Sequence, residues 1–260
     1  MPTDLKTIQL SANLQCCAII PTYNNAHTLQ AVIDDVLNYI ADVIVVNDGA
    51  TDATSDILSV NKGITVISYL PNKGKGFALK QGFKRAASLG FRYAITIDSD
   101  GQHLCSDIHL FLEKIQQFPD SLIVGSRLLR QANMPGGNTF ANKFSNFWYR
   151  LQTGINLPDT QSGFRLYPLD KIARMHFFTN RYESELEMLV RAAWRGINVC
   201  DVPITVYYPP PGERVSHFRP FWDFFRISIL NTFFTIIAFV YAYPAKWIKG
   251  IFGYRKKSNP

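Results

Sequence analysis

The chain is poor in the residues that build disulfide frameworks and zinc sites. Its 260 residues include four cysteines, Cys16, Cys17, Cys105 and Cys200, none in a C-x-x-C pair. Cys16 and Cys17 are adjacent in a predicted strand, so zinc ligation and a cross-linked scaffold are both disfavoured. Buried free thiols in a reducing compartment are expected instead. The phosphate-binding sequence G-x-x-x-x-G-K-[ST] is missing, and no G-x-G-x-x-G follows the first strand. Kinase, ATPase and dinucleotide readings lose support accordingly. The opening MPTDLKTIQLSANLQ lacks a positive segment followed by an apolar one; no signal peptide is expected, and the folded part is expected in the cytoplasm. Acidic residues are missing after Pro244, where the charged residues are Lys246, Lys249, Arg255, Lys256 and Lys257.

What is present is ample apolar material. Hydrophobic residues make up 47% of the chain and charged residues 18%, which excludes a disordered composition and allows a sizeable core. The net charge of +7 fits nucleic acid, anionic lipid or phosphorylated substrates. The basic tail follows a long apolar stretch, a pattern that suits anionic headgroups; a merely solvated basic tail is the plain alternative. Nucleic acid is the weakest partner, because the aromatics lie in the apolar tail rather than among basic residues as stacking platforms do.

The first half alternates short apolar runs with helical patterns. Strands are expected at Cys16–Ile20, Val43–Val46, Ile64–Leu70, Tyr93–Ile97 and Leu122–Val124, and helices at Ala26–Tyr39, Thr51–Leu58 and Gly76–Leu89. This alternation implies parallel pairing with right-handed crossovers, and nearly all-apolar strands imply helices on both faces. The second half is less regular, with helices expected at Asn138–Leu151 and Ser184–Arg195, a strand at Val199–Tyr207, and a break at Pro209–Gly212. Ligands of such sheets bind beyond the carboxyl ends of the strands. Five polar clusters fall there: Thr22-Tyr23-Asn24, Asn47-Asp48, Asn72–Gly76, Asp98–Gln102 and Gly125-Ser126-Arg127. They are expected to form one site.

Asp98-Ser99-Asp100 directly follows an apolar strand. Two carboxylates spaced this way can face one hard divalent cation whose other ligands are substrate phosphates; turn chemistry alone also places Asp and Ser at strand ends. Asp48 can accept hydrogen bonds from a base or ribose, while Asp52 is expected as a helix N-cap. Lys73 and Lys75, among flexible glycines, offer ammonium groups to a diphosphate. Glu183 and Glu185 open a predicted helix, where negative charge is favourable; near a donor either one could instead serve as a base. Arg127 reads equally as a phosphate contact and as a surface ion pair. Gln161 and Arg165 read equally as structural, and His103 and His217 as satisfied polar residues.

Taken together, Ala18–Asn24, Val45–Asp52, Asn72–Gly76 and Asp98–Asp100 resemble the inverting family-2 glycosyltransferases of the GT-A fold. Within them the chain is most similar to the dolichyl- or polyprenyl-phosphate hexosyltransferases, through Asp98–His103, Val124–Arg127 and Asp159–Arg165. The resemblance covers about residues 15 to 210. It implies an α/β GT-A domain, Rossmann-like, with a mixed, mostly parallel sheet and helices on both faces. It further implies that Pro21, Thr22, Tyr23, Asn24, Asp48, Lys75, Asp98 and Ser99 hold a GDP- or UDP-sugar, and that Asp98, Asp100 and Gln102 bind Mg²⁺ or Mn²⁺. Asp100, Arg127 and Glu185 would carry catalysis. Arg127, Arg214 and Ser216 would meet the acceptor phosphate; the lipid-phosphate branch carries a lysine after that serine, where this chain has His217. A lipid phosphate is already an anion and needs positioning rather than a strong base. A hydroxyl of another lipid or saccharide would need one, and a non-catalytic sugar-nucleotide-binding membrane protein is a further alternative.

The expected organisation is an N-terminal extension over 1–14, a catalytic domain over 15–210 and membrane-associating helices over 211–260. The apolar run from Ile227 to Tyr243 is borderline for a span of roughly 20 residues. A single crossing would leave the basic end outside, against the positive-inside tendency. Shallow insertion at the cytoplasmic face, a re-entrant hairpin or contacts between copies fit better, with packing on the soluble core as the alternative.

Overall fold

A computed structural model describes residues 3–127, 136–208, 220–245 and 247. Seven strands form one sheet: β1 (Cys16–Thr22), β2 (Val43–Asp48), β3 (Thr65–Tyr69), β4 (Tyr93–Thr96), β5 (Leu122–Arg127), β6 (Arg165–Pro168) and β7 (Val199–Ile204). Their order is β3-β2-β1-β4-β6-β5-β7. All neighbours run parallel except β6, which is antiparallel to both β4 and β5. The mixed, mostly parallel sheet expected from the sequence is present. The short strand β6 in its middle was not expected.

Period-two alternation divides each central strand between two cores. Cys16, Ala18 and Ile20 of β1 face one, with Leu29 and Ile33 of α2 (Ala26–Leu37) and Phe111 and Ile115 of α5 (Ile108–Gln117). Cys17 and Ile19 face the other, with Leu79 and Phe83 of α4 (Lys75–Ser88), Tyr149 of α6 (Gly136–Thr153) and Leu189 of α8 (Glu183–Trp194). Helices therefore cover both faces. The four thiols are free, three of them buried. Residues expected as an extension include a helix, α1 (Leu5–Asn13), capped by the Asp4 carboxylate on the Thr7 N–H at 3.1 Å; it packs on α5. Asp52, expected to cap α3 (Thr54–Val60), accepts the Thr54 N–H and also the Ala26 N–H, both at 3.0 Å, so it ties two helix starts together.

The last described element is α9 (Pro220–Ile237), which follows the short α7 (Leu169–Ile172) and α8 in chain order and continues through one wider turn, Ala238–Ala242. Phe221–Ala245 is 25 residues long with mean hydropathy 1.7, long and apolar enough to cross a membrane by length and composition. This exceeds the run read from the sequence, because the helix begins before Ile227. One side packs on α6 and α8 and buries Asp223, Asn231, Phe234 and Ala238. The Gln152 amide donates to the Asn231 carbonyl and side chain, both at 3.1 Å, and the Tyr243 hydroxyl to the Leu151 carbonyl at 2.7 Å. The other side exposes Phe221, Trp222, Phe224, Phe225, Ile229, Phe233, Ile236 and Phe239. The packed side is apolar too, with Ile227, Leu230, Phe234 and Ile237 against the core, so the helix is apolar all round instead of carrying a polar outer face. Arg214, Ser216, His217 and the basic residues from Lys246 onward lie outside the described residues.

Candidate active site

A cleft of about 1050 Å³ opens at the carboxyl ends of β1, β2 and β4, where doubly wound sheets bind ligands. Pro21, Thr22, Tyr23, Asp48, Lys75, Asp98, Ser99 and Asp100 all line it. Asn24 does not; its carboxamide oxygen accepts the Thr51 N–H at 2.8 Å, and Asn25 lines the wall in its place. Asn25 fixes Ser99 by an amide-to-hydroxyl bond of 2.7 Å.

Asp48 organises the wall rather than standing free in it. Its carboxylate accepts the Asn72 amide at 2.9 Å and the backbone N–H groups of Lys73 and Gly74 at 2.8 Å each. The approach is close enough that a Cβ on Gly49 (φ +75°) would lie 2.5 Å from Asn72 N; only glycine combines that φ with that contact.

One of the two carboxylates expected at the metal, Asp98, sits on a lysine. Lys75 Nζ lies 2.6 Å from Asp98 Oδ1 and 3.0 Å from Glu185 Oε2. Burial works against the Lys75 charge, but Asp98 and Glu185 outweigh it and hold the ammonium above its ordinary range. Burial likewise opposes the Asp98 charge, and Lys75 overcomes it, so that carboxyl falls below the usual range. Asp100 moves the other way, raised by burial and by the neighbouring Asp98 charge; its Oδ1 accepts the Gln102 N–H at 3.0 Å. Gly163 forms the floor: a Cβ there would lie 2.6 Å from Asp98 Oδ2 and 2.7 Å from Lys75 Nζ. His103 is buried, and burial lowers its pKa despite both aspartates. Its Nδ1 finds no hydrogen-bond partner among the described residues, contrary to the expectation of a satisfied histidine.

Arg127 makes a partly buried ion pair, not a surface one. Its Nε and Nη2 donate to the Asp159 carboxylate at 2.5 and 3.0 Å, and the Asp159 side chain is wholly buried. Asp159 also accepts the Asn142 amide at 2.6 Å and the Gln161 N–H at 2.9 Å. Arg165 is fully buried and donates to the carbonyls of Ser162, Glu185 and Thr160 at 2.7, 2.7 and 2.9 Å. It therefore joins the 160–162 loop to the start of α8, the structural role. Glu185 reaches the cleft cluster through Lys75. Glu183 is buried and makes no described ion pair. Sequence reasoning missed Arg181 and Tyr182, which line the cleft, and the Asp159 and Gly163 contacts; each arises from segments far apart in the chain.

Residues 17–174 match the protein family described as glycosyl transferase family 2. The chain belongs to that family. It is an enzyme, a glycosyltransferase. It is 31% identical over 212 residues to the UDP-N-acetylglucosamine–dolichyl-phosphate N-acetylglucosaminyltransferase of Methanococcus voltae, over 73% of this chain and 84% of that one. It is 26% identical over 212 residues to the undecaprenyl-phosphate mannosyltransferase of Micrococcus luteus, over 77% and 86% of the two chains. Among solved structures it is similar in fold to glucosyl-3-phosphoglycerate synthase from Mycobacterium tuberculosis, in complex with Mn²⁺, UDP and phosphoglyceric acid. That match has TM-score 0.65 and 18% identity, over 90% of this chain and 81% of that one.

The residues of this glycosyltransferase fit a shared rather than a resident divalent ion. No cluster of three or more His, Cys, Asp or Glu ligands exists among the described residues, so there is no all-protein cage. Asp98 and Asp100 supply hard oxygen donors on the cleft wall, and burial, with the Asp98 charge beside it, raises the Asp100 carboxyl. Mg²⁺-type sites have this form, with one or two carboxylates and the balance from substrate phosphates. Gln102 is engaged through its backbone, with its carbonyl accepting the Tyr207 N–H at 2.8 Å.

Proposed function

We propose that the enzyme transfers a hexose, with inversion, from a GDP- or UDP-sugar to a polyprenyl phosphate at the cytoplasmic face of a membrane. The observation that carries the lipid acceptor is the exposed apolar side of α9 together with its attachment. α9 packs on α6, and Asn142 of α6 shares the Asp159 carboxylate with Arg127. An uncharged, aromatic-rich outer face suits a lipid surface and no aqueous one. Arg127, which would meet the acceptor phosphate, is linked to that helix through Asp159 and α6. The names of the Methanococcus and Micrococcus relatives support the same acceptor class.

In this reading Asp98 and Asp100 would hold Mg²⁺ or Mn²⁺, which supplies charge stabilisation to the departing diphosphate. Arg127, steered by Asp159, would hold the acceptor phosphate. One of its anionic oxygens forms a bond to the anomeric carbon while the bond from that carbon to the donor diphosphate oxygen breaks, and the pair leaves with the nucleoside diphosphate. No proton has to be removed. That suits Glu185, whose Oε2 lies 3.0 Å from Lys75 Nζ.

The test is nucleotide release by detergent-purified protein across UDP- and GDP-sugars, with and without polyprenyl phosphate. Release that needs both one donor and the lipid phosphate supports the proposal. Turnover indifferent to lipid phosphate refutes the acceptor, moves it to a hydroxyl, and makes Glu185 the residue to replace.

A further inference from the structure

Arg181 and Lys75 are the basic residues on the described cleft wall, and they are not equivalent. Lys75 is consumed by Asp98 and Glu185. Arg181 enters none of the described ion pairs. The carboxylates on the wall are largely spoken for as well: Asp48 by three loop donors and Asp98 by Lys75. The uncommitted charges of the cleft are therefore Asp100, beside the metal-type pair, and Arg181.

The segment presenting Arg181 is fastened on both sides. Glu187, fully buried, accepts the N–H groups of Phe178 at 2.9 Å and Thr179 at 2.8 Å. Lys80 donates to the Thr179 carbonyl at 2.9 Å and to the Asn180 side chain at 2.5 Å. The Asn180 carbonyl accepts the Phe77 N–H at 2.9 Å, and the Arg181 carbonyl accepts the Ser184 N–H at 3.1 Å. The stem of Arg181 lies directly on Gly74, where a Cβ would come within 2.8 Å of Arg181 Cγ. So many bonds on the four residues 178–181, with the Arg181 stem packed on Gly74, describe a pre-positioned group rather than a solvated side chain.

We propose that Arg181 binds the diphosphate of the donor, a role that rests on the nucleotide-sugar reading and gives that site its missing cation. A guanidinium presents a planar fork that matches phosphate oxygens two at a time. Charge grows on the diphosphate as the sugar leaves, and a fixed cation there favours the departing state over the bound substrate. The base would be held elsewhere in the cleft, so Arg181 distinguishes diphosphate-bearing ligands from nucleosides and leaves the choice of base alone.

The experiment is calorimetric titration of the full chain in detergent with Mn²⁺, using UDP, GDP, uridine, guanosine and inorganic phosphate as probes. Arg181→Gln keeps most of the stem over Gly74, and Arg181→Lys keeps the charge. The expected result is a loss of about 10- to 100-fold in nucleoside diphosphate affinity for Arg181→Gln, the range of one or two charged hydrogen bonds. Nucleoside affinity and melting temperature stay unchanged, and Arg181→Lys recovers part of the loss. Affinity within twofold of the parent in Arg181→Gln overturns the assignment while sparing the donor reading. An equal loss for nucleosides and their diphosphates also overturns it, as does a lower melting temperature with loss of all ligands. Failure of the parent protein to bind any nucleoside diphosphate overturns the donor reading, and the assignment falls with it.

Discussion

Replacing Asp159 by alanine removes a carboxylate that five donors share. It accepts the Arg127 N–H at 3.3 Å, Arg127 Nε and Nη2 at 2.5 and 3.0 Å, the Asn142 amide at 2.6 Å and the Gln161 N–H at 2.9 Å. Removing one partner of a buried ion pair costs about 3–5 kcal/mol, chiefly because the other charge is left uncompensated. The Arg127 side chain retains 17% exposure, so part of its charge can return to water, and the lower figure of about 3 kcal/mol applies. For a chain of this size that lowers the melting temperature by roughly 6–12 °C. Urea unfolding followed by circular dichroism reads the free energy directly. The loss should also depend on pH. Burial alone would raise the Asp159 carboxyl, but the Arg127 bonds outweigh it and hold it below the usual carboxylate range. A depressed folded-state pKa contributes stability that is present above the unfolded value of about 3.9 and is lost as pH falls through the folded value. Parent and variant should therefore converge in strong acid and separate toward neutrality. In the variant, freeing Arg127 from Asp159 should raise the acceptor KM more than it lowers kcat. A destabilisation under about 1 kcal/mol would show that water screens the pair as it does surface pairs, and the reasoning would fail.

Asp100→Asn should remove metal-dependent turnover while leaving the melting temperature equal or higher, since it removes a charge that burial and the neighbouring Asp98 both disfavour; retained activity with Mn²⁺ would remove this pair from the mechanism. Gly163→Ala puts a Cβ against Asp98 Oδ2 and Lys75 Nζ. Turnover should fall at least about tenfold, a loss of at least about 1.4 kcal/mol in transition-state stabilisation, and an active variant would show that the floor yields. The double replacement Phe225→Asp with Phe233→Asp changes two exposed residues of α9. It should abolish cosedimentation with anionic vesicles without shifting the melting temperature. Phe234→Asp, at a 2% exposed position, should instead destabilise the fold by at least about 3 kcal/mol. Undiminished vesicle binding by the double variant would move the lipid contact off α9.

The strand ends were legible because apolar runs stop abruptly at polar residues. Val43–Val46 before Asn47-Asp48 and Tyr93–Ile97 before Asp98 each placed a cleft residue from local pattern alone. β6 was not legible. It has four residues, opens on a buried arginine and is fixed by its neighbours rather than by any period of its own. α5 carried a signal that went unread, with Ile108, Phe111, Leu112 and Ile115 at helical spacing. Arg127 was legible as a charged residue at a strand end, but Asp159 lies 32 residues away, and no local feature pairs them. In α9 the apolar run was plain but its facing was not. Asp223 and Asn231 stand eight apart, a spacing that keeps them on one side, and the buried Asn231 is met by Gln152 from another helix.

Lys75 has a bearing on how the enzyme lives with its ion supply. Its ammonium sits against Asp98 and Glu185 with no divalent ion present, so these two carboxylates have a counter-charge supplied by the protein itself. A chelator should then silence the protein without melting it, and restoring Mg²⁺ or Mn²⁺ should revive it at once. Such an enzyme is not assembled around its metal. Under the proposed reaction it would be made and folded in a cell short of manganese, and its output would rise and fall with the ion and the sugar nucleotide that arrive together.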